Sequence, residues 1–511
     1  MLFRVKHSVK NQRKVYVKSG IFMFFLFPLQ ISLVHAETSY FSNIKNSFGK
    51  LIAPEPTSSA YKVEMSSLSQ YSMDTSRVAE LPQVIRPQPG QGVVNPMAVA
   101  LPRKMGLIDA VHTAVQRRPE ISQSVSQLSA QAASIDVAKA AYYPQISGGL
   151  GTGDFTTGER GRQVISLNAT QVVYDFGKIK TNVSVEEARL TEEQARVLIS
   201  LDQIALEVAD AIINIKRYQE ITKIAQQQIE GIGRIAEIAN LRAQAGISSQ
   251  ADPIQAQSNL EAAESNLLIQ QTQLRQYQQR LRNLLGFDVS HVEWVIPEKI
   301  VQQAHLYQDP DFTRIPNMIL ANAGVEVARL QKNQARLSSY PTFNLKGSVS
   351  QAVNGRNPNN NEDDGFYNSI MLEASSNFYQ GGAMRSQARV ASFAEEAARA
   401  QVNTVYLDVQ DQIRLIREQI ENKQKQMDVL AKRRSTTART KELYQEQYKL
   451  GTRTVVDLLN AEQAIHSAAQ EIEAARYDIY AAIVQYIQVT GRTRDLYALN
   501  DISIQGFEVQ P

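Results

Sequence analysis

The chain has 511 residues, an ordinary apolar content of 43% and a formal net charge of +3. That length admits several ordinary domains or one long repeated architecture. There is no cysteine, which excludes disulfides, thiolate metal sites and a lipid-modified N-terminal cysteine.

The positive charge belongs to one segment. Residues 1–36 carry Arg4, Lys6, Lys10, Arg13, Lys14 and Lys18 and no acid, so the remainder holds 48 basic against 51 acidic residues, a net of −3. Nothing in that balance points to nucleic acid. The basic start is followed by IFMFFLFPLQISLV from Ile21 and by Val34-His35-Ala36, with small residues at the two cleavage-determining positions. This is the pattern of a signal peptide cut before Glu37. The alternative is an N-terminal anchor, but Pro28 and Gln30 interrupt a run already short for a span. No later segment is apolar enough for a transmembrane helix. An exported chain of this kind resides in the periplasm, is released, or forms β-barrel strands, whose alternation gives only a weak hydropathy signal.

Residues 37–104 are rich in Ser, Pro and Gln and are predicted to be a lead without ordered structure. Order is expected from Met105, where GLIDAVHTAVQRRPEI places Leu107, Ala110, Val111, Ala114 and Val115 on one helical face. The chain then says everything twice. Pro119 matches Pro316 and Tyr143-Pro144 matches Tyr340-Pro341, both 197 residues apart. Tyr174-Asp175-Phe176-Gly177 matches Tyr379-Gln380-Gly381-Gly382, Gly246 matches Gly451 and Asp252 matches Asp457, all 205 residues apart. The gain of eight falls on the longer polar stretch NGRNPNNNEDDG, which marks a loop. The expected units are repeat 1 over 105–290, a connector over 291–315, repeat 2 over 316–495 and a C-terminal tail over 496–511.

Each repeat reads alike. A helix ends at Tyr-Pro, because proline restrains the residue before it and cannot continue the ladder. A β-hairpin follows. Ile146, Gly148 and Leu150 alternate, then Ile165, Leu167 and Ala169; in the second copy Phe343, Leu345, Gly347 and Val349 alternate, then Ile370, Leu372 and Ala374. Next comes a very long helical run, over about 181–245 and 383–450. Its seams are Ile204, Val208, Ile212, Ile215, Ile229, Ile232, Ile235, Ile238 and Leu241, and then Val402, Val405, Val409, Ile413, Ile416 and Ile420. Gly246 and Gly451 stand where a left-handed residue ends such a helix, and the chain returns as a second long helix.

Four strands cannot close a barrel, and an open sheet edge cannot be satisfied in lipid. Strands placed in a membrane therefore require several chains to share one barrel, and three chains supply twelve strands. Tyr142, Tyr143, Tyr174, Phe176, Tyr340, Phe343, Phe378 and Tyr379 bracket the strands, as an interfacial girdle requires; aromatic packing in a soluble sheet is the alternative.

The segment LGTRTVVDLLNAEQ from Leu450, YQGG from Tyr379 and the opening AVHTAVQRRPEI carry a resemblance. Over roughly residues 105–495 the chain resembles the TolC family of outer-membrane channel proteins, in its type I secretion branch. The resemblance implies a mainly α fold with a small β part, in which long coiled-coil helices form an α-barrel tunnel and four strands per chain join a shared twelve-stranded barrel. It implies a homotrimer in the outer membrane, in contact with its lipid, with the tunnel in the periplasm. It implies a passive conduit for protein export without cofactors, docked to a periplasmic adaptor protein and an inner-membrane transporter. The outer component of a small-molecule efflux pump shares this scaffold. An exported coiled-coil protein whose strands never enter a membrane is the other class in play.

By the same resemblance, the two helical turns close the inner end of the tunnel as a periplasmic gate. Asp252 would engage Tyr448 of its own chain and Arg453 of a neighbour, and Asp457 would give a ring of carboxylates attractive to cations. This chain has Asn460 where a second acid is common and Ala251 where a hydroxyl assists, so a less negative ring and fewer cross-chain links are expected. Both acids also fit plain helix capping, as Ser249-x-x-Asp252 beside Pro253 and as Thr454-x-x-Asp457. Arg453 has no comparable local reason in the sequence.

Catalytic motifs are missing: no HExxH, phosphate-cradling glycine loop or nucleophile elbow occurs. GIGRIAEI from Gly231 is half a dinucleotide fingerprint inside a helical run and reads as packing. Trp294, the one tryptophan, reads as a packing anchor in the connector.

Overall fold

The computed structural model describes residues 104–153, 162–297, 299–500, 502–504 and 507–509. The segments expected to be a signal peptide and a lead, up to residue 103, and the first hairpin's polar loop lie outside the described residues.

Two copies of one unit are laid side by side. After a short strand β1 (Lys104–Gly106) come α1 (Leu107–Arg117) and α2 (Pro119–Ala140), then β2 (Gln145–Gly153), β3 (Arg162–Tyr174), α3 (Lys178–Gln244) and α4 (Ala251–Leu285). A connector with β4 (Glu293–Val295) and α5 (Lys299–Gln303) leads into α6 (Pro316–Leu337), β5 (Thr342–Asn354), β6 (Phe366–Ser375), α7 (Ala383–Lys449) and α8 (Val455–Val489). The chain ends in α9 (Thr493–Leu496), β7 (Ser503–Ile504) and β8 (Phe507–Glu508). The corresponding helices α2 and α6 both have 22 residues, α3 and α7 both 67, and α4 and α8 both 35. The repeat read from scattered matches is thus a repeat of helix lengths.

The helices form a row of four columns. The short helices α2 and α4 line one side of α3, α6 and α8 fill the space between α3 and α7, and α7 ends the row. At about 1.5 Å per residue each 67-residue helix runs roughly 100 Å. The middle column is well covered, since α3 buries 25 residues. The end column is not: α7, equally long, buries seven, and leaves Val390, Phe393, Leu407, Leu415, Val429 and Leu443 exposed. Exposed apolar side chains in such numbers mark a face that another chain covers. The predicted seam residues Ile204, Val208, Ile212 and Ile215 are buried, whereas Ile238 and Leu241 near the end of α3 are exposed.

The four long strands make one antiparallel sheet in the order β2-β3-β5-β6, with β2 and β6 as open edges. Its two faces differ in kind. Ile146, Leu150, Ile165, Leu167, Leu345, Val349, Ile370 and Leu372 stand exposed on one. On the other, Ser147, Asn168, Ser348 and Ser369 fall on one rung across all four strands, and Gly149, Ser166, Ser350 and Tyr367 on the next. Lys346 pairs with Glu373 at 2.8 Å on this polar face. The second polar loop folds back over the same face: Asn357 is fully buried and donates to the backbone of Ser350 (3.4 Å) and Gly365 (3.0 Å), while Asn359 donates to Ser350 Oγ at 3.1 Å.

At the helix-side end of the sheet the aromatic residues gather. The rings of Tyr174 and Phe176 lie 4.7 Å apart and those of Phe176 and Tyr340 5.2 Å, and Phe378 and Tyr379 are almost wholly exposed. The main core sits where the two repeats and the connector meet, around α1, the middle of α3 and the end of α8. Leu107, Ala110, Val111, Ala114 and Val115 are all fully buried there. Trp294 is buried too, on β4, which pairs in parallel with β1 through Met105, so it is the packing anchor expected. The described part of the C-terminal tail is core rather than appendage: Leu499, Ile504, Phe507 and Val509 are buried in this cluster.

Candidate functional site

Strand passes into long helix through a pair of left-handed residues in each repeat. Phe176 and Gly177 are both left-handed (φ 57° and 88°), as are Gly381 and Gly382 (φ 58° and 85°). In the first copy the Asp175 side chain accepts from the N–H groups of Gly177 (2.8 Å) and Ile179 (2.6 Å), which satisfies the helix start and holds Phe176 in a conformation glycine adopts freely. Three residues separate strand from helix in the first copy, after Tyr174, and seven in the second, where Tyr379 lies within the junction.

At the far ends of the long helices the two turns also correspond. Gly246 (φ 72°) ends α3 and Gly451 (φ 77°) ends α7. The next N–H in each case reaches back to a carbonyl five residues earlier, Ile247 to Arg242 (2.9 Å) and Thr452 to Gln447 (3.0 Å). Carbonyls left over at the helix end are satisfied in this way, and the left-handed position explains both glycines.

The return helices begin differently. Thr454 Oγ1 accepts from the Asp457 N–H (3.3 Å) and donates to Asp457 Oδ2 (3.0 Å), which is the capping expected. Its counterpart does not form. Ser249 Oγ accepts instead from the Ala251 N–H (3.1 Å), and α4 starts from Gln250 without a side-chain cap. Once the serine hydroxyl is satisfied two residues on, it no longer reaches Asp252, whose carboxylate stays in the first turn beside Pro253.

Arg453 has local partners that the sequence does not reveal. Its guanidinium lies 4.6 Å above the Tyr444 ring, its Nε donates to Gln447 Oε1 (2.9 Å) and its Nη1 is 3.6 Å from Asp457 Oδ2. All three belong to its own hairpin. Tyr448 is buried, and its hydroxyl has no hydrogen-bond partner among the described residues. Asp252 reaches it only through charge: burial, and then the Asp252 carboxylate, push the phenol above its ordinary pKa, with Arg242 opposing. Asn460 is exposed one turn beyond Asp457.

One residue at this end escaped the sequence reading. Arg242, in the last turn of α3, lies 4.8 Å above the Tyr448 ring and donates from Nη1 to the Lys449 carbonyl at 3.2 Å. Its only sequence signal is a basic residue in a last turn, which ordinary dipole compensation also explains. Below these polar contacts the two hairpins share a small apolar cluster of Ile232, Ile235, Ala239, Ala256, Ala263, Tyr448, Val455, Leu458 and Leu459. The alanines let the helices approach closely.

The arrangement is therefore a sheet with one apolar and one polar face, open at both edges, joined to helices about 100 Å long that end in two polar turns. Relatives share it. The family model "Outer membrane efflux protein" matches residues 110–287 and 313–492, one match per repeat. The outer membrane protein TolC of Salmonella enteritidis is 24% identical over 409 residues, covering 75% of this chain and 81% of that protein. The alkaline protease secretion protein AprF of Pseudomonas aeruginosa is 21% identical over 408 residues, covering 74% and 82%. In fold, the outer membrane protein VceC of Vibrio cholerae superposes with a TM-score of 0.66 over 75% of this chain and 96% of its own, at 16% identity. The alternative of an exported coiled-coil protein falls with these matches, and the open sheet and uncovered α7 face are the edges of a subunit in a trimer. The chain belongs to the outer membrane efflux protein family, the TolC-like channels, and is a subunit of a passive outer-membrane channel rather than an enzyme.

Proposed function

We propose that the channel is the outer-membrane conduit of a type I secretion system, carrying protein cargo, and that the two helical turns form its periplasmic gate. The observation that carries the gate is the placing of charge. Arg242, Asp252, Arg453 and Asp457 gather at the turns farthest from the membrane sheet, on helices otherwise joined there by a thin apolar cluster. Apolar packing alone would leave the turns free to slide, whereas charged contacts hold a defined closed state and can be exchanged for others. In the trimer Arg453 has two carboxylates in reach, its own Asp457 and the Asp252 of a neighbouring protomer; Asp457 then holds the capping hydroxyl of Thr454 and lines the entrance as well. With Asn460 in place of a second acid, the ring carries one carboxylate per chain at this level.

Protein cargo is favoured by AprF, whose name records protease secretion. The partners follow from that reading: a periplasmic adaptor and an inner-membrane transporter that supplies the energy. A second reading, the outer component of a small-molecule efflux pump, is supported by the family's efflux description. Residues 37–104 are proposed to be a lead between the signal peptide and the first repeat, and the repeats to run over 105–290 and 316–495.

Two measurements test this. Single-channel conductance in planar bilayers should be low for the wild type and higher for Arg453→Ser; equal values leave Asp457 as the partner of the Thr454 cap and Asp252 as a first-turn carboxylate. A strain deleted for the chain should lose specific proteins from its culture medium. Unchanged secretion with increased drug sensitivity would favour the efflux pump.

A further inference from the structure

We propose that Arg242 is the clasp that ties the two hairpin turns of each protomer together, and that Tyr448 serves it as an aromatic platform rather than through its hydroxyl. The inference rests on the gated-conduit reading and adds to it a positioning residue on the first hairpin.

Arg242 sits in the last turn of α3, where a cation already faces that helix's terminal carbonyls. From there it crosses to the second hairpin. Its guanidinium covers the Tyr448 ring at 4.8 Å, and Nη1 donates to the carbonyl of Lys449, the last residue of α7. A side chain built at Gly451 would come within 3.8 Å of Nη2, so the tip of the second turn is also in contact. One cation thus joins the negative C-terminal ends of α3 and α7 and caps a buried ring. Among the described residues, no other side chain of the first turn hydrogen bonds to the second turn.

Tyr448 gains its role from the same geometry. Its hydroxyl is buried without a hydrogen-bond partner, and Asp252 acts on it only through charge. The ring, in contrast, is held between the cluster of Ile232, Ile235, Val455 and Leu459 on one side and the guanidinium on the other. Removing Arg242 uncovers the ring and takes a donor from the end of α7 in each protomer.

The test uses full-length trimers in planar bilayers, with the heat-dissociable trimer band as the check on assembly. Arg242→Ala should raise the open probability about fivefold. Arg242→Lys should fall between, because an ammonium keeps the charge and a donor but loses the planar face. Tyr448→Phe should behave as wild type, and Tyr448→Leu should open like Arg242→Ala. If Arg242→Ala assembles and stays at the wild-type level while Arg453→Ser opens, the clasp is overturned and the gate stands. If neither variant opens, the gate reading falls and the clasp with it. Should Arg242→Ala fail to trimerise, Arg242→Lys decides, and an unchanged open probability overturns the clasp. A Tyr448→Phe channel as open as Tyr448→Leu would assign the holding role to the hydroxyl instead.

Discussion

Glu462 occupies the space that a side chain at Gly231 would need: a Cβ built on Gly231 falls 1.7 Å from Glu462 Oε1 and 2.7 Å from its Cδ. Gly231 lies inside α3 and Glu462 on α8, so the missing side chain lets a carboxylate lie flat on the backbone of a neighbouring helix. That carboxylate is almost fully buried, forms an ion pair with Lys441 of α7 and lies 3.2 Å from His466 Nε2. Three helices are pinned on one charge. The packing reading of GIGRIAEI is correct, and what Gly231 packs against is an acid.

Gly231→Ala should therefore destabilise the trimer by about 1–3 kcal/mol, although alanine is the better helix former. Gly233, two residues on, has nothing within 4 Å of a built Cβ. Gly233→Ala should be neutral or stabilising by up to about 1 kcal/mol. Thermal dissociation of the purified trimer measures both, and equal effects would refute the seat.

Lys441→Gln should cost about 3–5 kcal/mol, since it strips a buried carboxylate of its cation. Burial by itself raises the Glu462 pKa, but the hydrogen bond from His466 and the charge of Lys441 more than offset it, and the carboxyl is held below its ordinary 4.5. A group depressed in the folded state stabilises above its unfolded pKa and loses that contribution as pH falls through the folded one. Wild-type trimer should accordingly weaken on acidification below pH 4.5, and Glu462→Gln should flatten that limb of the curve.

Asp202 has the opposite sign. It is buried in α3 near Arg494 and Thr493, and burial outweighs both, raising its pKa to about 7. A carboxyl raised in the folded state favours folding while protonated, so its contribution is lost as pH climbs from 3.8 through about 7. Dissociation temperatures should be higher near pH 5 than near pH 8, and Asp202→Asn should abolish that slope. With Glu462, this gives a stability maximum on the acid side of neutrality.

The two faces of the sheet predict opposite responses to charge. Ile370, exposed on the apolar face, and its neighbour Ser369, on the polar face, lie on the same strand. Ile370→Arg should cost about 2–4 kcal/mol and reduce outer-membrane assembly. Ser369→Arg should assemble normally and change ion selectivity instead, as a residue facing the lumen would. Equal assembly of both variants would contradict the assignment of the faces.

Much of the fold was legible because it is local. Alternation of Ile146 and Leu150 or Ile370 and Leu372 fixes a strand and its faces, proline at 144 and 341 ends a helix, and Gly246 and Gly451 supply the one backbone geometry that closes a long helix. The change in repeat offset marks the polar loop between β5 and β6. Capping was read correctly at Thr454 but not at Ser249, where a hydroxyl had two nearby N–H groups to choose from and took the closer in sequence.

The sequence by itself determined the long helices, the two hairpins, their doubling and the need for further chains, since periodicity, turn chemistry and unpaired strand edges all act within a few residues of their cause. The tertiary structure alone decided which charges meet. Arg242 and Lys449 are 207 residues apart, and nothing short-range distinguishes that arginine from any other at a helix end. Arg453 found three partners in its own hairpin, and Gly231 proved to be the seat of Glu462. Such contacts depend on how two hairpins about 100 Å from the sheet settle against each other. That is a property of packed helices, and no single helix encodes it.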